Sequence, residues 1–451
     1  MQKQLEAPYF QRDFPPEEFA ARRRKLLDRI GGETCALLQG AGPARGFETF
    51  RQHNDFYYLC GVEVPQAFLW IDGRRRTTTL LLPERGEPDD LAPDEEALAA
   101  RLTGVDAVRP AAHLAGLLRE AGAVYLPHAP AEGRNVSRDV ALRTGRRIAA
   151  DPWDAAPERE RRFIDAVRRE APSVAVRDLD PLLDRLRLVK SPREIALLRK
   201  AGRLSALGVV EAMRSTCPGV RAYGLEALAD YHFRVNGARG AGYAAILPSG
   251  DHVWHAHWFR NDDVLRDGEL VLMDYAPDVG YYTSDIGRMW PVNGRYSPEQ
   301  RELCSFMVRW HRELLRRLKP GVLAATVLEE AGAEMKRLID ATSWSRPSFK
   351  EAALESLRYS GHLSHPVGMA VHDVGDYRDR PLEPGMCFAV DPQLWVRGER
   401  LYVRVEDTVI VTEEGIENVT RQAPLALEEV EAFVGTGGLL QAYPPEQGDG
   451  R

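Results

Sequence analysis

Residues 268–294, GELVLMDYAPDVGYYTSDIGRMWPVNG, constrain the fold more than any other stretch of this chain. Two runs rich in β-formers flank Pro277-Asp278-Val279-Gly280, a turn-like tetrapeptide, so the segment reads as a β-hairpin. A turn at those four residues sets position 274 opposite 283 and position 272 opposite 285. Asp274 and Asp285 then share a face as diagonal neighbours, roughly 7–8 Å apart at the backbone. Two anions aimed at one spot repel each other unless a cation or a proton lies between them. Taken alone, the pair reads more simply as one exposed aspartate and one beside a turn.

Other segments also carry acids or histidines on apolar backgrounds. GMCFAVDPQLW (385–395) runs apolar into Asp391, and LYVRVEDTVIV (401–411) sets Glu406 in a β-branched strand. A buried carboxylate is costly unless a partner neutralises it. Residues two apart in a strand share a face, so Arg404 and Glu406 point together while Asp407 points away. LSHPVGMAVHDVG adds His365 and His372. Four acids and a histidine give mostly oxygen ligands with one nitrogen. That set suits Mn²⁺ or a related divalent ion better than a thiolate-type structural zinc. Upstream, HVWHAHWFRND (252–262) is expected to put His255 and His257 on one strand face, with Trp254, Ala256 and Trp258 on the other. One of the two could donate to a reacting oxygen; His252, His255 and His311 are expected to be structural.

At 451 residues the chain is too long for one core, so two domains are expected. Strand-like runs near 36–38, 67–71, 77–82 and 123–126 alternate with helical stretches near 17–29, 94–102 and 113–120, the pattern of an α/β domain. A polar, Arg- and Glu-rich stretch from about 154 to 173 leads into the second region. There SPREIALLRKAG opens a helix, with Ser191 as cap, Pro192 at the first helical position and Glu194 closing a capping box. Strands at 269–276, 281–290, 386–391 and 401–411 are partly segregated from helices near 194–214, 222–236, 298–318 and 323–340, which favours α+β.

A net charge of −7 argues against a general nucleic-acid binder. Five scattered cysteines without CxxC spacing fit a reducing compartment. No stretch of about 18 apolar residues is present, and the N-terminus lacks a signal-peptide core. A cytoplasmic protein with no membrane segment is expected.

With these residues assembled, the chain resembles the pita-bread metallopeptidases, specifically the aminopeptidase P (Xaa-Pro aminopeptidase) branch, with prolidase as close kin. The likeness runs from about residue 15 to about residue 435. RQHNDFYYLCGVEVPQAFLWI resembles the branch's creatinase-like N-terminal domain, and KSPREIALLRKAG the opening of its catalytic domain. DYAPDVGYYTSDIGRMWPVNG resembles its two-aspartate hairpin, with Asp274 and Asp285 eleven residues apart. The resemblance implies an α+β chain, with a creatinase-like α/β domain over 1–177 and a pita-bread catalytic domain over 178–451.

It further implies two divalent metal ions, typically Mn²⁺ with Zn²⁺ or Co²⁺ as other options, held by Asp274, Asp285, His365, Asp391 and Glu406. His257 matches a family histidine that precedes an aromatic and stands four before an asparagine, here Asn261; His372 matches the second active-site histidine. Asp391 takes the place of the proton shuttle. Tyr243 and Arg404 match a pair that orients the first aspartate without binding metal. The implied reaction removes an N-terminal residue from a peptide with proline at the second position. The implied partners are that peptide and further copies of the chain, as a dimer or tetramer, with no nucleic acid and no membrane.

The chain departs from the family where Asp391-Pro392 replaces the usual Glu-Pro, and where Gly361, followed by His362, replaces a histidine. Trp258 stands where Tyr is common, and Gln393 where Gly is common. Prolidase or another pita-bread hydrolase with a changed substrate is the alternative within enzymes. A catalytically silent binding protein is the alternative outside them.

Overall fold

The computed structural model describes residues 12–44, 46–83, 94–358 and 363–445. The chain forms two compact units, Met1–Arg187 and Leu188–Arg451. The sequence reading set the boundary ten residues earlier, at 177/178. The stretch between stays with the first unit because its last strand there, Ala175–Asp178, pairs with Ala123–Leu126.

The first unit is built on one six-stranded sheet. Its strands are β1 (Cys35–Gln39), β2 (Phe68–Asp72), β3 (Thr77–Leu82), β4 (Ala107–Pro110), β5 (Ala123–Leu126) and β6 (Ala175–Asp178). They lie in the order β4-β3-β2-β1-β5-β6. The β1–β2 and β2–β3 pairs are antiparallel and the others parallel. Within the Arg- and Glu-rich stretch, Arg159–Glu170 is a helix that buries Ile164 and Val167 in this unit's core, beside Leu37 and Val124. Its charges occupy the opposite face, the amphipathic solution for a helix lying on a sheet.

In the second unit the helix Pro192–Ser215 starts as its sequence requires. Ser191 accepts from the Glu194 N–H, and the Glu194 carboxylate accepts from the Ser191 N–H. The strands are β7 (Leu270–Asp274), β8 (Ile286–Pro291), β9 (Cys387–Val390), β10 (Gln393–Val396), β11 (Leu401–Arg404), β12 (Glu406–Val411) and β13 (Ile416–Asn418). The central strand is β12, which pairs with β8 at residues 406–407, with β9 at 407–410 and with β13 at 409–411. Strands β10 and β11 form a separate antiparallel pair that sets Gln393 opposite Arg404. Long helices at Pro298–Arg317 and Ala324–Ala341 bury Trp310, Leu314 and Met335 in the same core as Ile286, Trp290 and Val409.

The hairpin register differs from the expected one by four residues. Asp274 lies opposite Gly287, and Leu272 opposite Met289. The turn is the two-residue Gly280-Tyr281, both at positive φ (58° and 75°), closed by paired bonds between Val279 and Tyr282. Two central residues with φ above zero match the twist of an antiparallel pair, which a four-residue turn at 277–280 would not do here. An even shift leaves every side chain on its face. Asp274 and Asp285 therefore remain diagonal neighbours.

Candidate metal centre

Four strands and one loop of the second unit bring the acids together. Asp274 ends β7, Asp285 precedes β8, Asp391 follows β9 and Glu406 begins β12. Tyr243 joins the first two, its hydroxyl lying 2.7 Å from Asp274 Oδ1 and 2.8 Å from Asp285 Oδ1. Arg404 joins the rest: Nη1 donates to Asp274 Oδ2 (2.7 Å), Nε to Asp391 Oδ1 (2.8 Å) and Nη2 to Glu406 Oε2 (2.6 Å). The Gln393 amide donates to Asp391 Oδ2 at 2.5 Å. His365 approaches from the loop, Nε2 lying 3.4 Å from Asp285 Oδ2. One ligand atom each from Asp285, His365 and Glu406 lies within 4.8 Å of the others.

Residues that the sequence reading passed over hold these acids in place. Thr408 Oγ1 accepts from the Asp285 N–H at 2.7 Å and donates to its carbonyl at 2.8 Å. Arg288 donates to the Glu406 carbonyl and, at 2.7 Å, to Asp407 on the opposite face of β12. Gly287, paired with Glu406, has no room for more: a Cβ there would stand 3.0 Å from Glu406 Cβ. Period-2 alternation from Glu406 to Thr408 was an available signal for one of them. Arg288 and Gly287 follow only from the strand pairing.

Burial pushes the Glu406 carboxyl well above the usual carboxylate range, and Asp285 adds to this against the pull of Arg404. Asp285 is raised too, by burial first and then by Asp274. The Tyr243 hydroxyl is raised well above its usual value by burial and by the two aspartates it serves. Arg404 loses solvation, but Asp391, Glu406 and Asp274 together hold its proton more firmly than usual. Four buried carboxyl groups near one guanidinium cannot all stay ionised without a further cation.

The histidines arrive differently. His372 lies with its ring centroid 4.0 Å from that of His365. The expected strand around His257 is absent. Gly250–Trp254 is a 3-10 turn and 255–257 continue as turns. His252 Nδ1 meets Asp263 Oδ1 at 2.6 Å, its ring stacks on Trp258 at 4.0 Å, and these local contacts fold the segment back on itself. His257 is exposed beside Phe259, at 6.1 Å between parallel rings. Partial desolvation of the ring, then Arg404, lowers its pKa, so the imidazole is neutral at neutral pH. Gly361 and His362, the other expected departure, lie outside the described residues.

The model of metallopeptidase family M24 matches residues 196–413, and that of the aminopeptidase P N-terminal domain matches residues 19–125. A Xaa-Pro aminopeptidase of Escherichia coli is 30% identical over 453 aligned residues, covering 93% of this chain and 97% of its own. This chain belongs to the aminopeptidase P family. Among solved structures, proline aminopeptidase P II of Yersinia pestis is 28% identical with a TM-score of 0.76, covering 93% of this chain and 99% of its own. A zinc-substituted aminopeptidase P of Escherichia coli in complex with product is 29% identical with a TM-score of 0.74, covering 93% and 98%. The expected α+β architecture, a pita-bread unit after a creatinase-like one, is that of these structures.

Aminopeptidase P chains are metallopeptidases, and the residues here fit a divalent ion. Glu406 Oε1 is buried with no hydrogen-bond partner, which is costly unless a cation meets it. The nearest donors are two carboxylates and one imidazole, a hard oxygen-rich set. Asp391, like Asp274, has both oxygens accepting protein hydrogen bonds, here from Arg404 and Gln393. Two of the expected departures thus meet: Asp391 is partnered by Gln393 two positions on.

Proposed function

We propose that this aminopeptidase P family member is a divalent-metal exopeptidase that releases the N-terminal residue from peptides with proline in the second position. What carries the reading is one buried cluster of four carboxylates and a histidine, cross-linked by Tyr243 and Arg404, in a chain aligned nearly end to end with a Xaa-Pro aminopeptidase.

In this reading Asp285, His365 and Glu406 hold one divalent ion, and Asp274 and Asp391 complete the position of a second, with Mn²⁺ as the ion best suited to these donors. Bound divalent ions polarise a substrate carbonyl and lower the pKa of water. The protein's own groups do the rest. Asp391 would accept a proton from the attacking water. His257, held neutral, donates a hydrogen bond to the oxygen that gains negative charge. His372, beside His365, holds the substrate near the departing imino nitrogen. That nitrogen carries no hydrogen in an Xaa-Pro bond, so recognition cannot use an N–H there. Tyr243 and Arg404 keep the acids aimed.

No helix among the described residues is long and apolar enough to cross a membrane. The five cysteines are free thiols, which supports placing the protein in the cytoplasm. We place it there as a homo-oligomer, a state that light scattering on purified protein tests. The functional test is release of the first residue from Xaa-Pro di-, tri- and pentapeptides beside Xaa-Ala controls, with and without divalent ion. Proline-dependent release that needs metal and vanishes in Asp285→Ala and Glu406→Ala is expected. Cleavage of dipeptides alone would make the protein a prolidase, and silence on every peptide by metal-loaded protein would sink the reading.

A further inference from the structure

We propose that the buried ion pair between Lys190 and Asp373 is a positioning device that holds His372 against His365. Lys190 Nζ lies 3.2 Å from Asp373 Oδ2, and both side chains are almost fully buried. Neither residue contributes to the acid cluster described above. The inference rests on the proposed roles of the two histidines.

Lys190 is anchored at its own backbone. Its N–H donates to the Gly385 carbonyl at 2.9 Å, and its neighbour Val189 bridges Met386, at the entry to β9. On its other side Ser191 caps the long helix. Lys190 is thus a fixed post between the opening helix and the central sheet. Asp373 follows His372 directly in the chain.

Residues 363–375 run past the site without regular secondary structure, as an outgoing and a returning arm. The outgoing arm carries His365 and is stitched to its surroundings. Ala389 N–H donates to the His365 carbonyl (3.1 Å), Val367 N–H to Cys387 (3.0 Å) and Thr283 N–H to Gly368 (2.9 Å). The returning arm carries His372 and is tied by Asp373 N–H to the Pro366 carbonyl (2.8 Å) and by the ion pair with Lys190. Gly368 marks where the arms close on that pair: a Cβ there would stand 2.0 Å from Asp373 Oδ2 and 2.9 Å from Lys190 Cε. Two opposite charges 3.2 Å apart attract strongly in a buried setting, where water screens them little. The pair therefore sets how far the returning arm lies from the post, and with it the 4.0 Å separation of the histidine rings. Lys190 acts through Asp373 and touches no substrate.

Lys190→Met removes a buried cation from beside Asp373 and can unfold the chain. The deciding variant is therefore Lys190→Met with Asp373→Leu, which removes both charges and keeps the space filled. Two readouts are taken: the His365–His372 ring contact, as nuclear Overhauser effects in histidine-labelled protein, and kcat/KM on an Xaa-Pro tripeptide. The expected result is loss of the contact and a fall in kcat/KM of about 100-fold, the scale of a 1 Å misplacement. Adding His372→Ala should then cost nothing further. A retained ring contact overturns the inference whatever the activity, and so does an unchanged kcat/KM or a full additional loss on adding His372→Ala. Should the parent protein cleave no such peptide, the proposed function fails, and the ring contact alone decides this inference.

Discussion

Arg404 meets Asp274, Asp391 and Glu406 with three different nitrogens, a fork that lysine cannot reproduce. Arg404→Met in metal-free protein should cost about 3–5 kcal/mol, because three buried carboxylates lose their cation. The urea midpoint measures this, and added Mn²⁺ should recover part of the loss by binding the folded state. Tyr243→Phe removes one hydroxyl that serves both Asp274 and Asp285. Divalent-ion affinity by calorimetry should fall about 10–100-fold while the far-ultraviolet circular dichroism stays unchanged. Asp391→Glu restores the family's residue and should raise the affinity for a second ion, read as calorimetric stoichiometry. Unchanged stoichiometry and affinity would mean that length at position 391 does not limit that site.

Among elements, the hairpin of β7 and β8 depends on its turn. Gly280 at φ 58° precedes Tyr281 at φ 75°, and a side chain at the first position must accept a left-handed conformation. Gly280→Val should destabilise the protein by about 1–2 kcal/mol, seen as a lower urea midpoint. The opening of the helix Pro192–Ser215 has a double function. Glu194 closes the capping box with Ser191 and also accepts from the Tyr282 hydroxyl at 2.8 Å, tying the helix start to the hairpin. Ser191→Ala should cost about 1 kcal/mol; a neutral result would show that the Tyr282 bond alone suffices.

For the molecule as a whole, acid should act through buried neutral histidines. His311 is fully buried and its pKa is lowered from 6.5 to about 4, by burial first, with Asp407 opposing and Arg288 assisting. Above pH 6.5 both folded and unfolded forms are neutral. Between pH 6.5 and 4 the unfolded chain binds a proton that the folded one refuses, so stability falls as pH falls through this window. The loss reaches about 3 kcal/mol by pH 4. His53 in the first unit is lowered to about 4 in the same way, by burial and Arg159. Urea midpoints measured across this range should decline toward acid, and His311→Gln should flatten the decline. A slope identical to the parent's would exclude His311 as its source.

Patterns local along the chain were legible without coordinates. The capping box at Ser191–Glu194, the apolar runs of β7, β9 and β12, and the shared face of Arg404 and Glu406 depend only on residue type and a period of two or 3.6, which neighbouring residues carry themselves. The family motif added Tyr243, which no periodicity marks. What tertiary structure decided lies where contact partners are far apart in sequence. The two-residue turn shifted the hairpin by four, the Arg- and Glu-rich stretch became a helix on the first sheet, and local contacts of His252 replaced a strand by turns. Arg288, Gly287 and Lys190 acquire their parts only from strand pairing and burial, because the charges and backbone groups they meet come from other segments. The chain's own chemistry named the acids; the sheet brought them to one point.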